Sequence, residues 1–226
     1  MNLDDNFKCI KHETLVSDKR KGCISFDCCG AGQKTSQIFE DQTWKNHKID
    51  SNEIYQTFYK VMRLHQVIWY LLEVYDKTEV QQLRDRVLQL LNTYENIDFD
   101  EKDNFNNFDV ESYQSSANVV LKEFTREYFQ KNKTHFSKKK DYVGKDMREI
   151  ATAGMDFTMA YLMATNFEKC NLRDINFLGA DIRDANFKGS NLSESLFLTQ
   201  MQINSCIGDS TTKLPRYLQF PKHWNR

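Results

Sequence analysis

The chain has 226 residues, of which 40% are hydrophobic, and it carries a formal net charge of −1. This length allows one or two compact domains, and the balanced charge argues against a surface that binds nucleic acid or an acidic membrane. No run of about 18 apolar residues is present, so no transmembrane helix is predicted. The N-terminal sequence lacks the apolar core of a signal peptide, and we therefore expect a cytoplasmic protein.

Residues 1–50 are predicted to form a polar head with loops and short elements. Its candidate metal ligands are Cys9, His12, Cys23 and Cys28, with Cys29 as a substitute ligand. Thiolates and imidazoles are the ligands that zinc prefers, and a bound metal would replace the hydrophobic core that this segment lacks. The residues predict a structural or sensory zinc site, and the alternative is a set of partly buried thiols without metal.

Residues 51–140 are predicted to form a helical domain. Three stretches have apolar residues at helical spacing: 51–76, 79–95 and 110–131. Asp50 or Ser51 is expected to cap the first helix, and Thr78 and Gln81 have the spacing of a capping box at the start of the second. The acidic, Asn-rich residues 96–109 are predicted to be a loop.

The first long helix defines an apolar face that contains a histidine. The predicted inward residues are Ile54, Phe58, Val61, Met62, His65, Ile68, Trp69 and Leu72. A histidine on such a face is more often a core residue with satisfied nitrogens than a catalyst. We therefore assign His65 a structural role. No nucleophile, base and orienting group stand together in a recognisable motif, and no catalytic residue is predicted.

From Lys145 to Thr199 the sequence repeats every five residues. The centres of the eleven pentads are Met147, Thr152, Phe157, Leu162, Phe167, Leu172, Phe177, Ile182, Phe187, Leu192 and Phe197. Ten of these eleven centres are apolar, Asp or Asn often precedes the centre, and a small residue often stands two positions before it. A period of five fits neither an α-helix nor a β-strand and indicates a repeat architecture. The Asp or Asn side chains can bond local backbone groups at the turns.

This pattern resembles the pentapeptide repeat family, in which a small residue, Asp or Asn, and Leu or Phe precede two polar positions. The resemblance implies an α+β chain in which a short right-handed quadrilateral β-helix, with four pentads per coil, follows the helical domain. Residues 141–199 would form this solenoid, and residues 200–226 would form a C-terminal cap. The cysteine-bearing head, the first long helix and the closing segment resemble a bacterial subgroup of the family. Relatives in that subgroup carry further cysteines before the position of Cys9.

The resemblance also implies a function. The solenoid would serve as a non-catalytic protein-interaction scaffold with a metal- or redox-responsive head, and its apolar tail residues would cap the coil or form a homodimer contact. The alternative is a topoisomerase-binding DNA mimic of the quinolone-resistance type. Residues 145–199 contain eight acidic and six basic residues, spread along a rod of ~13 Å at the spacing of β-strands. This weak, short charge array favours the scaffold, whose protein partner the sequence does not name.

Overall fold

The computed structural model describes residues 10–18, 25–40, 50–99, 102–131, 140–148, 150 and 155–225. Internal contacts divide the chain into two compact units. We call Cys28–Asn132 the helical unit, and Met1–Asp27 together with Lys133–Arg226 the repeat unit. Residues 28–40 thus belong to the helical unit, although the sequence grouped them with the head. Within the described ranges, no helix has both the length and the apolar character needed to cross a membrane.

The helices of the described residues follow the chain in this order. They are α1 (His12–Ser17), α2 (Ala31–Ile38), α3 (Ser51–Lys77), α4 (Gln81–Glu95), α5 (Lys102–Asn107), α6 (Val110–Lys131), α7 (Gln200–Ser205) and a 3₁₀ helix (Lys222–Asn225). The three long helices predicted from apolar spacing therefore exist, with ends within two residues of the prediction. Asp50 caps α3 as expected, because its side chain accepts a hydrogen bond from the Asn52 N–H at 2.9 Å.

The helical unit is built around α3, which packs against α2, α4 and α6, while α4 also packs against α6. The residues of α3 with the most complete burial are Thr57, Val61, Leu64, Val67, Tyr70, Leu71, Glu73 and Val74. The predicted inward face is thus partly wrong, since Val61 alone of that set is fully buried and Leu72 is 51% exposed. A helix with three neighbours buries a wide arc, and apolar spacing alone does not locate the centre of that arc.

Two local predictions in the helical unit are wrong. Thr78 does not form a capping box with Gln81, because α4 begins at Gln81 and its N-cap residue, Val80, makes no side-chain cap bond. Thr78 instead ends α3, where its N–H donates to Val74 O and its hydroxyl accepts from the Val80 N–H at 3.2 Å. The predicted loop at 96–109 contains the short helix α5.

In the repeat unit, parallel β-bridges join residues that are 20 positions apart. Examples are Asp141 with Tyr161, Asn166 with Asn186 and Asn176 with Leu196. Twenty residues are four pentads, so each coil has four sides, as the family resemblance implied. Within the described residues, these pairings are isolated bridges, and they do not extend into strands of several residues. The coil already includes Asp141, one pentad before the start of the repeat at Lys145.

The pentad centres form the core of the coil. The buried centres are Tyr142, Met147, Phe157, Leu162, Phe167, Leu172, Phe177, Ile182, Phe187, Leu192 and Phe197, each 5% exposed or less. Thr152 lies outside the described residues. Centres of successive coils stack, and the rings of Phe167 and Phe187 are nearly parallel with centroids 5.3 Å apart. The predicted five-residue register of the core is therefore correct.

Most turns between sides are held by an Asp or Asn that precedes the centre. The side chain of Asn176 accepts from the Leu178 N–H at 2.8 Å, and Asp156 does the same for Thr158 at 3.0 Å. Most of these turns are also closed by a backbone bond such as Ala160 N–H to Phe157 O at 2.9 Å. The third residue of this turn, Met159, has a φ of 55°. This is the geometry of a type II turn.

After Thr199 the chain leaves the repeat through α7, which begins with a capping box between Thr199 and Gln202. The Gln202 amide also donates to Phe177 O at 3.2 Å and to Ala180 O at 2.9 Å. Beyond α7, Ile207 and Lys213 pair with the backbone of the last coil. The side-chain amide of α7 therefore satisfies backbone acceptors that another coil would otherwise occupy.

The tail beyond residue 207 lies against α7 and the segment that follows it. Trp224 is 3% exposed, its indole N–H donates to Cys206 O at 3.3 Å, and a Cβ at Gly208 would lie 2.5 Å from its ring. Leu218 is also buried, whereas Phe220 is 37% exposed and makes an edge-to-face ring contact with Trp224. The close approach explains the glycine at position 208.

Candidate functional site

The four predicted zinc ligands are not brought together by the residues that the structure describes. Cys9 and Cys23 lie outside the described residues, and His12 begins α1 with only its backbone described. Cys28 is half-buried next to the start of α2. Within the described ranges, no three His, Cys, Asp or Glu side chains are grouped to hold a metal. The zinc site remains a prediction.

Cys28 and Cys29 lie in a tight turn that leads into α2. The Cys28 carbonyl accepts a hydrogen bond from the Ala31 N–H at 2.9 Å. Between them, Cys29 has a φ of 50° and Gly30 a φ of 78°. A positive φ costs a non-glycine residue free energy, so surrounding contacts must hold Cys29 in this conformation. Both cysteine side chains are half-buried.

His65 supplies one of these contacts. Its Nδ1 lies 2.7 Å from Cys29 O, and its Nε2 lies 2.8 Å from the Tyr94 hydroxyl oxygen. A carbonyl oxygen only accepts, so Nδ1 donates to Cys29, and in the neutral ring Nε2 then accepts from Tyr94. Burial raises the pKa of the Tyr94 hydroxyl, which keeps it protonated as a donor. His65 is therefore a core histidine with both nitrogens in use, as the sequence predicted.

A series of ring contacts extends this link back to α2. The Tyr94 ring meets Phe99 with centroids 5.6 Å apart, and Phe99 meets Phe105 at 5.2 Å. The ammonium of Lys34, on α2, lies 4.2 Å from the centroid of Phe99. Hydrogen bonds and ring contacts thus connect the cysteine turn to α3, α3 to α4, and the residues after α4 back to α2. Sequence reasoning missed these connections, because Cys29 and Tyr94 lie 36 and 29 positions from His65 and no local pattern relates them.

The two described cysteines of the repeat unit have a different environment. Cys170 occupies a small inward position of the coil, is 7% exposed, and has its thiol pKa raised by burial. Cys206 is fully buried, and its sulfur lies 3.1 Å from Ile203 O. Both therefore serve as packing residues of the repeat unit.

The outer surface of the coil carries an apolar patch on one side. We define it by the outward residues Val143, Met159, Tyr161 and Met163. Met159 is 66% exposed, Tyr161 56% and Val143 46%, whereas Met163 is half-buried with its sulfur 3.2 Å from Arg183 Nη2. Tyr161 stands where neighbouring pentads have Asp or Asn, between Asp141 and Asp181. A tyrosine in place of the usual Asp or Asn is therefore the sequence feature that marks this patch.

An adjacent side of the coil has the polar character that the repeat pattern predicts. Its outward column contains Arg148, Glu168 and Lys188. Arg148 forms an ion pair with Asp146 at 2.6 Å and a longer one with Glu168 at 3.7 Å. The apolar patch is therefore a local departure and not a general property of the coil surface.

Comparison with known proteins agrees with the repeat geometry. The family described as pentapeptide repeats matches residues 160–197 with eight copies. The uncharacterized protein YybG of Bacillus subtilis (strain 168) is 32% identical over 230 residues, which cover 99% of this chain and 82% of that protein. A crystal structure of a pentapeptide repeat protein (Rfr23) from the cyanobacterium Cyanothece 51142 is 23% identical over 33% of this chain and 46% of its own, with a TM-score of 0.26. The repeat match and the relative of nearly full length show that this chain belongs to the pentapeptide repeat family.

Proposed function

We propose that this protein is a non-catalytic, cytoplasmic scaffold that binds another protein through the outer surface of its repeat coil. The observation that carries the proposal is the apolar patch. The pentad centres already fill the core, so folding of the coil does not require apolar residues at outward positions. Water-exposed apolar side chains that are contiguous commonly mark a protein interaction site.

The composition of the patch favours a protein partner with an apolar segment. Met159 and Met163 have flexible, polarisable side chains that adapt to irregular partner surfaces. Tyr161 offers a rigid ring with a hydroxyl, the type of residue that often dominates binding energy at interfaces. Lys140 and the Asp181–Arg183 pair lie near the rim, where charges contribute more to orientation than to affinity.

The scaffold can be tested by affinity purification from a bacterial host followed by mass spectrometry. The informative variant combines Met159→Lys, Tyr161→Asn and Met163→Arg, because Lys169, Asn171 and Arg173 occupy the equivalent positions of later pentads. These substitutions restore the polar pattern without touching a pentad centre. The wild-type chain should retain a partner that this variant loses.

The matched control is Arg173→Ala, which changes an exposed outward residue on another side of the coil. It should capture the same partner as the wild-type chain. If the patch variant and the wild-type chain capture identical proteins in identical amounts, the patch is not the docking surface and the proposal loses its support.

The head is the second part of the proposal. We propose that Cys9, His12, Cys23 and Cys28 bind zinc, with Cys29 as a substitute, so that the head responds to metal or redox state. The support is the number of soft ligands in a short polar segment. Elemental analysis of freshly purified protein should find zinc that Cys23→Ser and Cys28→Ser variants lack. Less than a tenth of an equivalent of transition metal in the wild-type chain would end this part.

The topoisomerase-binding alternative stays a prediction that one assay separates from the scaffold. A DNA mimic would inhibit supercoiling by gyrase at amounts close to stoichiometric, whereas a scaffold for another partner would not. Strong inhibition by the purified chain would replace the proposed function with the alternative.

A further inference from the structure

The two methionines of the apolar patch have different surroundings. Met159 is 66% exposed, and its sulfur lies over Gly179 of the next coil, where a Cβ would be only 2.4 Å from Sδ. Met163 is half-buried, with Arg183 Nη2 at 3.2 Å from its Sδ. Asp181 fixes that guanidinium, since its Oδ1 accepts from Nε at 2.8 Å and its Oδ2 from Nη2 at 2.6 Å. The missing side chain of Gly179 therefore leaves room for a sulfur at the surface, whereas Met163 presents its sulfur to a fixed cation.

Neither the core nor the turn requires a thioether at position 159. The residue points away from the pentad centres, and its φ of 55° lies in the left-handed region, which favours glycine. Its counterpart in the next coil, Gly179, has a φ of 64°. The other described methionines are less exposed: Met201 is 37% exposed, Met62, Met155 and Met163 are half-buried, and Met147 is buried. Position 159 therefore combines a thioether with the greatest access of solvent.

We propose that Met159 is a site of reversible oxidation by peroxides, and that its sulfoxide removes the apolar character of the patch. The thioether sulfur attacks one oxygen of hydrogen peroxide, so that an S–O bond forms and the O–O bond breaks. The sulfur loses two electrons, and the second oxygen leaves as water with the proton of the first. Reduction by a dithiol returns the thioether, with the oxygen leaving as water and the dithiol becoming a disulfide. The effect on docking rests on the proposed function, because the patch is the surface that the partner would contact.

The geometry makes this oxidation selective and local. The Arg183 N–H engages a lone pair of the Met163 sulfur, and Met163 is half-buried, so Met163 should react later. Gly179 lies under the Met159 sulfur, so the new oxygen projects into solvent and leaves the coil unchanged. A docked partner would have to bury that oxygen against apolar side chains. The burial of one polar group without a hydrogen-bond partner weakens binding by about 5–150-fold.

The experiment treats the native full chain with graded amounts of hydrogen peroxide and locates the added oxygen by peptide mass spectrometry with fragmentation. Met159 should gain one oxygen before Met163 and Met201 do, while Met147 stays unmodified. Hydrophobic interaction chromatography of the intact chain should show earlier elution after oxidation, because the patch has become more polar. The two methionine sulfoxide reductases, one for each sulfoxide epimer, should restore the original elution when a dithiol is supplied.

Met159→Leu has an apolar side chain without sulfur, and it should lose the peroxide-dependent change in elution. Met201→Leu is the matched control, because it removes an exposed methionine outside the patch and should keep that change. Oxidation of Met163 or Met201 ahead of Met159, or an unchanged elution of the oxidised wild-type chain, would overturn the proposal.

The effect on docking has a measurement of its own, the affinity of the oxidised chain for the partner that the wild-type chain captures through the patch. Affinity should fall by about 5–150-fold, and an unchanged affinity would contradict the effect on docking. If the wild-type chain captures no partner through the patch, the proposed function fails. Peptide mapping and chromatography then still decide whether Met159 is the oxidation site, so the two proposals fail by different measurements.

Discussion

The repeat unit and the helical unit bury their apolar residues according to different rules. In the coil, every side has the same backbone shape. Two residues five positions apart therefore occupy equivalent positions, both inward or both outward. In the helical unit, the environment of each turn of α3 depends on which neighbour lies beside it, and Val61 is buried while Leu72 is exposed. Local periodicity therefore determines the core of the repeat unit, whereas packing partners distant in sequence determine the core of the helices.

The variant with the largest expected effect on folding lacks the closing segment of the coil. Deletion of residues 208–226 takes away Lys213, which pairs with the backbone of the last coil, and Trp224, whose indole N–H donates to Cys206 O. Because an uncovered coil end has unpaired backbone groups and exposed apolar side chains, we expect aggregation or loss of cooperative unfolding. Size-exclusion chromatography and thermal unfolding measure this. A truncated chain that stays monomeric and melts like the full chain would show that the segment is not a cap.

A pentad centre should be far less tolerant than an outward position. Phe177→Ala should lower the free energy of unfolding by about 3–5 kcal/mol, because it opens a cavity in a core residue with no solvent exposure. Arg183→Ala, at an exposed outward position, should change it by less than about 0.5 kcal/mol. Urea unfolding compares the two. Equal effects would contradict the five-residue register.

In the helical unit, the corresponding vulnerable point is His65. His65→Phe should lower the free energy of unfolding by about 1–3 kcal/mol, because it leaves the Cys29 carbonyl and the Tyr94 hydroxyl without their partner. Tyr94→Phe is the control and should cost less, about 0.5–1.5 kcal/mol. The double variant should cost less than the two single changes together. Simple additivity would show that the His65–Tyr94 bond does not couple the two helices.

The smallest expected effect is a pH dependence at the closing segment of the coil. The Thr211 hydroxyl and the N–H groups of Thr211 and Gly189 hold the pKa of Asp209 below its usual value. A lowered pKa stabilises the fold above the ordinary carboxyl pKa, and this contribution is lost as the pH falls below it. The wild-type chain should therefore exceed Asp209→Asn in stability at pH 7, with the difference shrinking at about pH 3. A difference that does not change between these pH values would contradict the role of the carboxylate.

The same contrast explains what the sequence could predict. The pentad centres and the Asp or Asn turns follow from a short-range rule, and the structure confirms them. The four-sided coil came from the family resemblance, and bridges between residues 20 positions apart agree with it. The predictions of a Thr78 capping box and of a loop at 96–109 are wrong. Local propensity alone determines neither the residue at which α4 begins nor the presence of the short helix α5. The bonds of His65 could not be predicted, since they depend on how α3 and α4 are placed against the cysteine turn. The apolar patch needed each outward residue to be compared with its equivalents in other pentads.

The contact of Gln202 with Phe177 and Ala180 has a consequence for how genes of this type can lengthen. The amide of Gln202 meets the coil on one side only. Both acceptors are backbone carbonyls, which each side of the coil presents in the same way. A tandem duplication of whole pentads would therefore offer the terminal helix an equivalent docking place, whereas an insertion that is not a multiple of five residues would not. Inheritable changes in the length of this coil should therefore occur in whole pentads.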